Sequence, residues 1–444
     1  MAPRNGGAGG AIGIGLMGLG TVGGGVAEIL SDRADVYARR VGRPLQLRGV
    51  LVRDAAKKRQ PTVDPALIST DPRRILDDDA IQIVIEAIGG EQPALEYITA
   101  AVERGKHVVT ANKEVMAKHG PRLLSLAHER GVDILYEASV GGGIPLIAPL
   151  KRDLLANELT NIHAIVNGTT NYILTRMSKE GCDFGVALAA AQDLGYAEPD
   201  PTNDVEGIDA AYKLAILASL AFRSEVHPDQ VYREGITKLT ARDFRYAQEL
   251  GYAIKLLAIG RRSDGGLEAR VHPAFIPADA PLAKVDGVFN AVQLEGDLLG
   301  AVLFQGRGAG SLPTTSAVVA DVIDLARTLA RGGADPAGRV QDQPCPVRGM
   351  DEVRTRYYIR IHVADQAGVL AQIMRVLGES YDISIASVIQ KETDEAAQTA
   401  ELVIMTHEAS EASMQKALGE LKQLDVVASI GTVIRVEDHA HGQQ

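Results

Sequence analysis

The stretch that decides the fold is AIGIGLMGLGTVGGGVAEIL, residues 11–30. Its first seven residues are apolar or glycine, which predicts a buried strand over 11–17. Six residues with the spacing GxGxxG follow: Gly18, Leu19, Gly20, Thr21, Val22 and Gly23. A helix is predicted over 22–30, where apolar residues recur at helical spacing. In such a unit the glycines allow a tight turn, close approach of a pyrophosphate and close helix packing. The stretch therefore predicts a dinucleotide-binding turn, with a tight turn that binds no ligand as the alternative.

Short apolar runs and helical patterns alternate from here to about residue 150. The predicted strands are 45–52, 81–88, 107–110 and 133–137, and the predicted helices are 93–103 and 121–129. Such alternation is typical of a parallel sheet with helices on both faces. We therefore predict an α/β protein with a Rossmann-type dinucleotide-binding domain over 11–148, completed by residues 306–330.

Charged residues that follow the second predicted strand bear on the choice of cofactor. Arg53 and Lys57 suit the 2′-phosphate of NADP, whereas Asp54 suits the ribose 2′-hydroxyl of NAD. We expect NADP(H) to be preferred, with NAD(H) also possible. Solvated loop charges without a role in cofactor binding are the alternative.

A second informative stretch is GYAEPDPTNDVEGIDAAYKLAILASLAF, residues 195–222. A polar turn leads into an apolar helix that carries Asp209 and Lys213 four residues apart, which places both on one helical face. Burying an ammonium is costly, so this pair favours a function over a solvated surface ion pair. Lys213 can give a proton to a developing alkoxide, and Glu198 or Asp204 in the turn can bind a substrate ammonium.

Six motifs occur in one order along the chain. They are GLMGLGTVGGGV, TANKEVMA, YEASVGGGIPLI, IVNGTTNYIL, AQDLGYAEPDPTNDVEGIDAAYKLAIL and GRGAGSLPTTSAVVAD. Together they resemble the bacterial homoserine dehydrogenases, in the long form with a C-terminal ACT domain, over about residues 11–436. That family interconverts L-aspartate 4-semialdehyde and L-homoserine with NAD(P)H, on the route to threonine, methionine and isoleucine.

The resemblance implies roles for individual residues. Lys213 matches the family's proton donor, Asp209 its orienting partner, and Lys113 a second lysine close to nicotinamide and substrate. Glu198 matches the glutamate that binds homoserine, and Gly310 matches a glycine that touches the cofactor.

The resemblance also implies a structural sodium ion in the loop EASVGGGI, residues 137–144. The matching residues are Glu137 and, through their backbone carbonyls, Val140, Gly142 and Ile144. Without the resemblance, the glycines of this loop indicate only a tight turn.

The remaining chain predicts three further segments. An α+β domain for substrate binding, catalysis and dimerisation is expected over 149–305, and a linker rich in Gly and Pro over 331–355. The last segment, 356–438, shows the element order βαββαβ of the ferredoxin-like plan.

The DQAGVL turn makes this last segment resemble an ACT domain, which in the family binds L-threonine between paired domains. We expect Asp365 and Gly368 to form the rim of that pocket, so that threonine inhibits. A tail with a purely structural or dimerising role is the alternative.

Composition limits the partners and the compartment. The 444 residues carry 46 basic and 57 acidic side chains, a net charge of −11, which argues against binding to nucleic acid or anionic membranes. Only two cysteines are present, which fits a reducing compartment. The N-terminal sequence lacks the apolar core of a secretory signal. We expect a cytoplasmic homodimer or homotetramer.

Other functions need residues that this sequence does not supply in a suitable setting. A thioester mechanism, as in aspartate-semialdehyde dehydrogenase, needs an activated thiolate, and the surroundings of Cys182 and Cys345 do not favour one. A lactate-type dehydrogenase needs a catalytic histidine, yet His107 and His163 lie in apolar strand-like runs. An amino-acid-sensing regulatory protein with an inert nucleotide fold is the alternative from another class, and the lysine–aspartate pair argues against it.

Overall fold

The computed structural model describes residues 10–57, 63–332, 345–394 and 399–437. The chain divides into two compact units. Unit 1 comprises Met1–Ala156, Ala215–Pro228 and Phe304–Pro344, and unit 2 comprises Asn157–Leu214, Asp229–Leu303 and Cys345–Gln444. Within the described ranges, no helix is long and apolar enough to cross a membrane.

The N-terminal part alternates strands and helices. The strands are β1 (Ile12–Met17), β2 (Leu45–Leu51), β3 (Ile68–Ser69), β4 (Ile81–Glu86), β5 (His107–Thr110) and β6 (Ile134–Leu135). The helices are α1 (Thr21–Asp32), α2 (Ala34–Val41), α3 (Arg73–Leu76), α4 (Ala94–Glu103), α5 (Lys113–Arg130) and α6 (Ile147–Lys151). The strands form a parallel sheet in the order β3-β2-β1-β4-β5-β6. The predicted Rossmann-type fold is confirmed, and the strand order reverses between β1 and β4.

The middle of the chain mixes helices with antiparallel strands. Its elements are β7 (Leu159–Ile165), α7 (Gly168–Glu180), α8 (Phe184–Asp193), α9 (Thr202–Val205), α10 (Ile208–Ala221), β8 (Tyr232–Arg233), α11 (Ala241–Glu249), β9 (Tyr252–Ser263), β10 (Gly266–Pro277), β11 (Phe289–Gly296), β12 (Gly300–Arg307) and α12 (Ser311–Ala330). Helix α12 returns to unit 1, where Val318 and Val322 share a buried apolar core with Ile14 and Leu16 of β1.

The C-terminal part has the βαββαβ order that the sequence predicts. Its elements are β13 (Arg354–Ala364), α13 (Val369–Met374), β14 (Ile385–Asp394), β15 (Thr399–Thr406), β16 (Ala409–Ser410), α14 (Glu411–Leu421) and β17 (Val427–Val436), and a π-helical segment, Arg375–Ser380, extends α13. Strand β17 pairs in parallel with β10 through Ala274–Arg435 and Phe275–Val436. In unit 2 the strands therefore follow one continuous order, β11-β7-β9-β10-β17-β13-β15-β14.

One predicted helix begins earlier than expected. The sequence predicts a helix over 121–129, whereas α5 begins at Lys113 and contains Pro121 in its interior. The start is fixed by Asn112, whose side-chain oxygen accepts a hydrogen bond from Val115 N at 3.1 Å. Because the N-cap supplies a partner for an otherwise unbonded N–H, the helix begins at the end of β5 and not at the proline.

The backbone also sets two further boundaries. The strand predicted over 133–137 shortens to Ile134–Leu135, because Glu137–Ser139 forms a 3-10 turn. Helix α13 begins at Val369, inside the DQAGVL turn and directly after Gly368, which has a φ of 90°. That left-handed conformation is incompatible with a helical position and is one that glycine adopts readily.

Candidate active site

The glycine turn after β1 has the geometry of a nucleotide-binding turn. Gly18 has a φ of 98°, and a Cβ there would lie 2.6 Å from the Ala87 carbonyl oxygen. A Cβ on Gly23 would lie 2.0 Å from the Gly18 carbonyl oxygen, so the helix can pack this closely only with glycine. At Gly20 a Cβ would meet no atom of the described residues within 4 Å. The second glycine therefore borders open space, where a pyrophosphate can approach the backbone.

A second glycine loop lies next to this turn. Gly310, with a φ of 122°, precedes α12, and the Ser311 hydroxyl donates to the Thr21 carbonyl at 3.2 Å. Helices α1 and α12 approach closely, because a Cβ on Gly25 would lie 2.4 Å from the Thr315 hydroxyl. The structure thus brings Gly310 to the first turn of α1. Leu19 is buried in the same unit.

The charged residues after β2 lie close to the glycine turn. The Gly18 N–H donates to the Leu51 carbonyl at 3.0 Å, which places the end of β2 beside the turn. Arg53 and Lys57 are exposed. The Asp54 carboxylate accepts a hydrogen bond from Ala56 N at 2.8 Å and so stabilises its own loop.

Lys113 occupies the first position of α5, directly after β5. Its neighbour Asn112 caps the helix and also donates to the Gly90 carbonyl at 2.7 Å. Carboxyl ends of parallel strands meet at one edge of a sheet, so Lys113 lies at the edge that carries Gly18. The lysine is half-buried.

Lys213 and Asp209 form the buried pair that the sequence predicts. The Lys213 ammonium donates to Asp209 Oδ2 at 2.6 Å and to the Val166 carbonyl at 2.7 Å. The side chains are 11% and 3% exposed. An ammonium held between a carboxylate and a carbonyl, close to solvent, can donate a proton, and the neutral amine that remains can take one back.

Asn167 was missed by the sequence analysis. It follows β7 and caps α7, and its amide donates to Asp209 Oδ2 at 2.9 Å and to Asp204 Oδ1 at 2.7 Å. Asn167 thereby links Asp204, the predicted substrate-binding residue, to the ion pair of Asp209 and Lys213. The available signal was an asparagine between an apolar strand and a helix in the motif IVNGTTNYIL, which is typical of an N-cap.

Glu198 lies in the turn before α9, and its side chain is exposed. The turn is held by its backbone, since the Gln192 amide donates to the Glu198 carbonyl at 3.1 Å. The Thr169 hydroxyl donates to the Tyr196 carbonyl at 2.6 Å and ties the turn to the start of α7. The carboxylate of Glu198 is therefore available at the surface of a fixed turn.

The loop predicted to hold sodium is anchored by Glu137. Its carboxylate accepts hydrogen bonds from the backbone of Leu146, Ile147 and Ala148 at 2.5, 2.8 and 2.7 Å. Gly141 and Gly142 have φ values of 73° and 57°. Within the described part of the chain, no group of three or more His, Cys, Asp or Glu side chains is arranged to hold a metal ion.

The same loop contacts two other parts of unit 1. The Gly143 N–H donates to the Arg307 carbonyl at 3.3 Å, and the Glu137 N–H donates to Asp321 Oδ2 at 2.9 Å. Burial raises the pKa of Asp321 to about 7, and the neighbouring Glu137 charge adds to the shift.

The pocket residues predicted in the tail, Asp365 and Gly368, lie in an exposed turn before α13.

A glycine turn at the point where a parallel sheet reverses its strand order is typical of a dinucleotide-binding protein. Comparison with known families makes this more specific. Models described as "Homoserine dehydrogenase, NAD binding domain", "Homoserine dehydrogenase" and "ACT domain" match residues 18–137, 145–323 and 357–426. The chain belongs to the homoserine dehydrogenase family.

Individual relatives agree along nearly the whole chain. A homoserine dehydrogenase of Neisseria gonorrhoeae is 42% identical over 96% of this chain and 98% of its own length. The crystal structure of one from Thiobacillus denitrificans is 43% identical, with a TM-score of 0.89 over 96% of this chain and 98% of that one. A hyperthermophilic archaeal homoserine dehydrogenase in complex with NADPH is 28% identical, with a TM-score of 0.61, and covers 71% of this chain and 97% of its own.

Proposed function

We propose that this chain catalyses the reversible reduction of L-aspartate 4-semialdehyde to L-homoserine, in the biosynthesis of threonine, methionine and isoleucine. Family membership supports the substrate pair. The observation that supports roles for individual residues is the position of the Lys213 ammonium. It lies 2.6 Å from the buried Asp209, and the Asn167 side-chain amide donates hydrogen bonds to both Asp209 and Asp204. Proton transfer and recognition of an amino acid need groups of these types.

Lys213 gives its proton to the aldehyde oxygen as that oxygen becomes an alkoxide. The cofactor, when bound, supplies the hydride to the aldehyde carbon. Asp209 fixes the direction of the ammonium and keeps it charged until the transfer. In the oxidation of homoserine, Lys213 takes the hydroxyl proton as a base. Asp204 and Glu198 bind the ammonium of the substrate, and Lys113 lies on the nicotinamide side.

For the cofactor, we infer that NADP(H) is preferred and NAD(H) is also accepted. The backbone of the turn from Gly18 to Gly23, including Val22, receives the pyrophosphate, and Gly310 lies beside it. Arg53 and Lys57, exposed at the end of β2, suit a 2′-phosphate. The archaeal relative crystallised with NADPH supports a nicotinamide cofactor of this kind.

A sodium ion in the loop of residues 137–144 is a further proposal. Backbone carbonyls suit a hard cation, and left-handed glycines allow such a loop to turn carbonyls inward. Val140, Gly142 and Ile144 would supply carbonyls. Glu137 holds the loop through its three backbone hydrogen bonds. Unchanged activity and stability after exchange of sodium for a large organic cation would contradict this proposal.

We also propose that L-threonine inhibits the enzyme through the ACT domain, at a pocket rimmed by Asp365 and Gly368, and that the enzyme is a cytoplasmic homodimer or homotetramer. We further propose that the chain consists of a dinucleotide-binding domain over 11–148 and 306–330, a catalytic domain over 149–305, a linker over 331–355 and an ACT domain over 356–438. Rates with and without millimolar threonine test the regulation, with Asp365→Ala as the variant that should lose the response. A wild-type enzyme that is indifferent to threonine would limit the tail to an assembly role.

The activity itself is tested by following the nicotinamide absorbance with homoserine and either NADP or NAD. Reduction of NADP that depends on homoserine is the expected result. Absence of a signal with both cofactors, in protein that is folded, would favour the alternative of an amino-acid-sensing protein with an inert nucleotide fold.

A further inference from the structure

Asn167 uses both ends of its side-chain amide. The residue is buried, with 5% of its surface exposed, at the N-cap of α7. Its Oδ1 accepts hydrogen bonds from Thr170 N at 2.9 Å and from the Thr170 hydroxyl at 3.0 Å. Its Nδ2 donates to Asp204 and Asp209, at 2.7 and 2.9 Å. The same side chain therefore starts a helix and joins two carboxylates.

The orientation of this amide is fixed by its surroundings. A rotated amide would direct its oxygen at two carboxylates and its NH₂ group at the Thr170 N–H, which would lose the hydrogen bonds and add repulsion. An N-cap also needs an acceptor at the Oδ1 position. The helix start and the pair of carboxylates thus select the same rotamer.

The position of Asn167 has a consequence for the reaction. Oδ2 of Asp209 accepts hydrogen bonds from both the Lys213 ammonium and the Asn167 amide. Two donors on one oxygen define where that oxygen lies, and so define the direction of the ammonium. The second amide hydrogen sets the place of Asp204, which is the proposed ligand of the substrate ammonium.

We propose that Asn167 is a positioning residue that couples substrate recognition by Asp204 to proton transfer by Lys213. The proposal rests on the function assigned above to these two residues. A neutral amide is suited to this place, because it donates to two carboxylates without adding charge. An aspartate at the same position would keep the cap but turn both donations into repulsion.

The experiment compares wild type with Asn167→Asp, which preserves side-chain size and the cap acceptor. Loss of a hydrogen bond to a charged group typically costs about ten- to a hundredfold, so kcat should fall by about that factor. The KM for homoserine should rise with it, while the KM for NADP stays within about twofold, since no cofactor contact is altered. The melting temperature should also fall, because a third carboxylate repels Asp204 and Asp209, so kcat is compared per folded protein.

Asn171→Asp is the matched control, on the same helix. Asn171 is buried, and its amide donates to the Val285 and Phe289 carbonyls at 3.1 and 3.0 Å. The substitution is chemically identical but leaves Asp209 and Asp204 untouched. It should leave kcat per folded protein and the KM for homoserine near wild type, whatever its effect on the melting temperature, because Asn171 contacts the Lys255 ammonium and neither of the two aspartates.

Three outcomes separate the possibilities. If Asn167→Asp keeps wild-type kcat and KM for homoserine, the proposal is wrong. If both variants lose kcat equally without a change in KM, Asn167 serves only the fold, and the proposal is also wrong. If Lys213→Ala, measured in parallel, remains fully active, the assignment of the acid fails, whatever Asn167 does. Should Asn167→Asp not fold, Asn167→Ser keeps a cap oxygen without the amide donor and gives the same test.

Discussion

Two of the places at which unit 2 buries positive charge use different residues. At the junction between the C-terminal domain and the preceding sheet, Arg435 donates to Glu411 Oε2 at 2.8 Å and to Glu234 Oε2 at 2.7 Å. In the pair that we propose to be catalytic, Lys213 donates to Asp209 at 2.6 Å. Both cations are largely buried, with side chains 4% and 11% exposed. The surroundings are thus similar, and the difference lies in the residue chosen.

Arginine and lysine differ in whether they can release the proton. A guanidinium stays charged at any pH at which a protein is folded, and it offers a planar set of donors to two carboxylates. Burial opposes the charge on Arg435, but Glu411 and Glu234 outweigh burial and raise its pKa further. A lysine ammonium is a point charge that can lose its proton. The chain therefore places a permanent cation where domains are joined and a titratable one where we propose that a proton moves.

The junction contains two further buried arginines. Arg360 of β13 donates to Asp243 Oδ1 of α11 at 2.9 Å, and Arg270 of β10 donates to Glu437 at 2.8 Å. Burial opposes ionisation of Glu437, yet Arg270 and nearby histidines hold its pKa at about 2. The C-terminal domain is consequently joined to the preceding sheet by buried ion pairs whose arginines stay charged.

The largest effect is expected at the proposed catalytic pair, Lys213 and Asp209. Lys213→Ala should leave the protein folded and lower kcat by about 10²–10⁴-fold, which is the usual contribution of a general acid. Asp209→Asn should lose less, because Asp209 orients the proton donor and does not transfer the proton. Steady-state rates with homoserine and NADP measure both. Near wild-type turnover in Lys213→Ala would shift the role to Lys113.

The opposite result is expected at the junction, where stability and not chemistry should change. Arg435→Met leaves the buried Glu411 and the partly exposed Glu234 without their cation, and an unpaired buried charge such as that of Glu411 typically costs about 3–5 kcal/mol. The free energy of unfolding, from denaturant titration, measures the loss. Arg152→Met is the control, because Arg152 and its partner Asp153 are exposed and their ion pair contributes little. Equal stability of both variants would show that the buried charges do not hold the domain.

A buried carboxyl in unit 1, that of Asp321, should make the stability of the protein depend on pH. Asp321 has an ordinary pKa near 3.8 when unfolded and about 7 in the folded chain. Between these values the folded state retains a proton that the unfolded state has lost, so the free energy of unfolding falls as pH rises from about 4 to 7. Asp321→Asn should lack this slope and gain stability over wild type at pH 8, by up to a few kcal/mol. The exposed Asp324→Asn, on the same helix, should keep the wild-type slope; an identical slope in both variants would contradict this account.

The smallest effect concerns an exposed cation. Replacing Arg53 by Ala should raise the KM for NADP by about ten- to a hundredfold, since a charge-assisted contact to phosphate is worth about 1.5–3 kcal/mol. The KM for NAD should change far less, because NAD has no 2′-phosphate. Steady-state kinetics of wild type and variant with NADP and with NAD measure both KM values. Equal effects on both would remove Arg53 from cofactor selection.

Much of this architecture could be predicted from the sequence, because it depends on local patterns. The apolar run before Gly18 and the Asp209–Lys213 spacing are each visible within a few residues. Asn167 could not be assigned, since its partners lie 37 and 42 residues away and meet it only in the folded chain. The junction arginines were missed for the same reason: Arg435 and Glu234 are separated by 201 residues.

The central claim is that Lys213 is a lysine because its proton must move, whereas Arg435 is an arginine because its charge must stay. The most direct measurement exchanges the cations, comparing turnover and melting temperature of Lys213→Arg and Arg435→Lys. We predict that Lys213→Arg melts near wild type but loses turnover almost as completely as Lys213→Ala, and that Arg435→Lys melts earlier but turns over normally per folded molecule. Wild-type turnover in Lys213→Arg would contradict the account, because a guanidinium cannot serve as the acid.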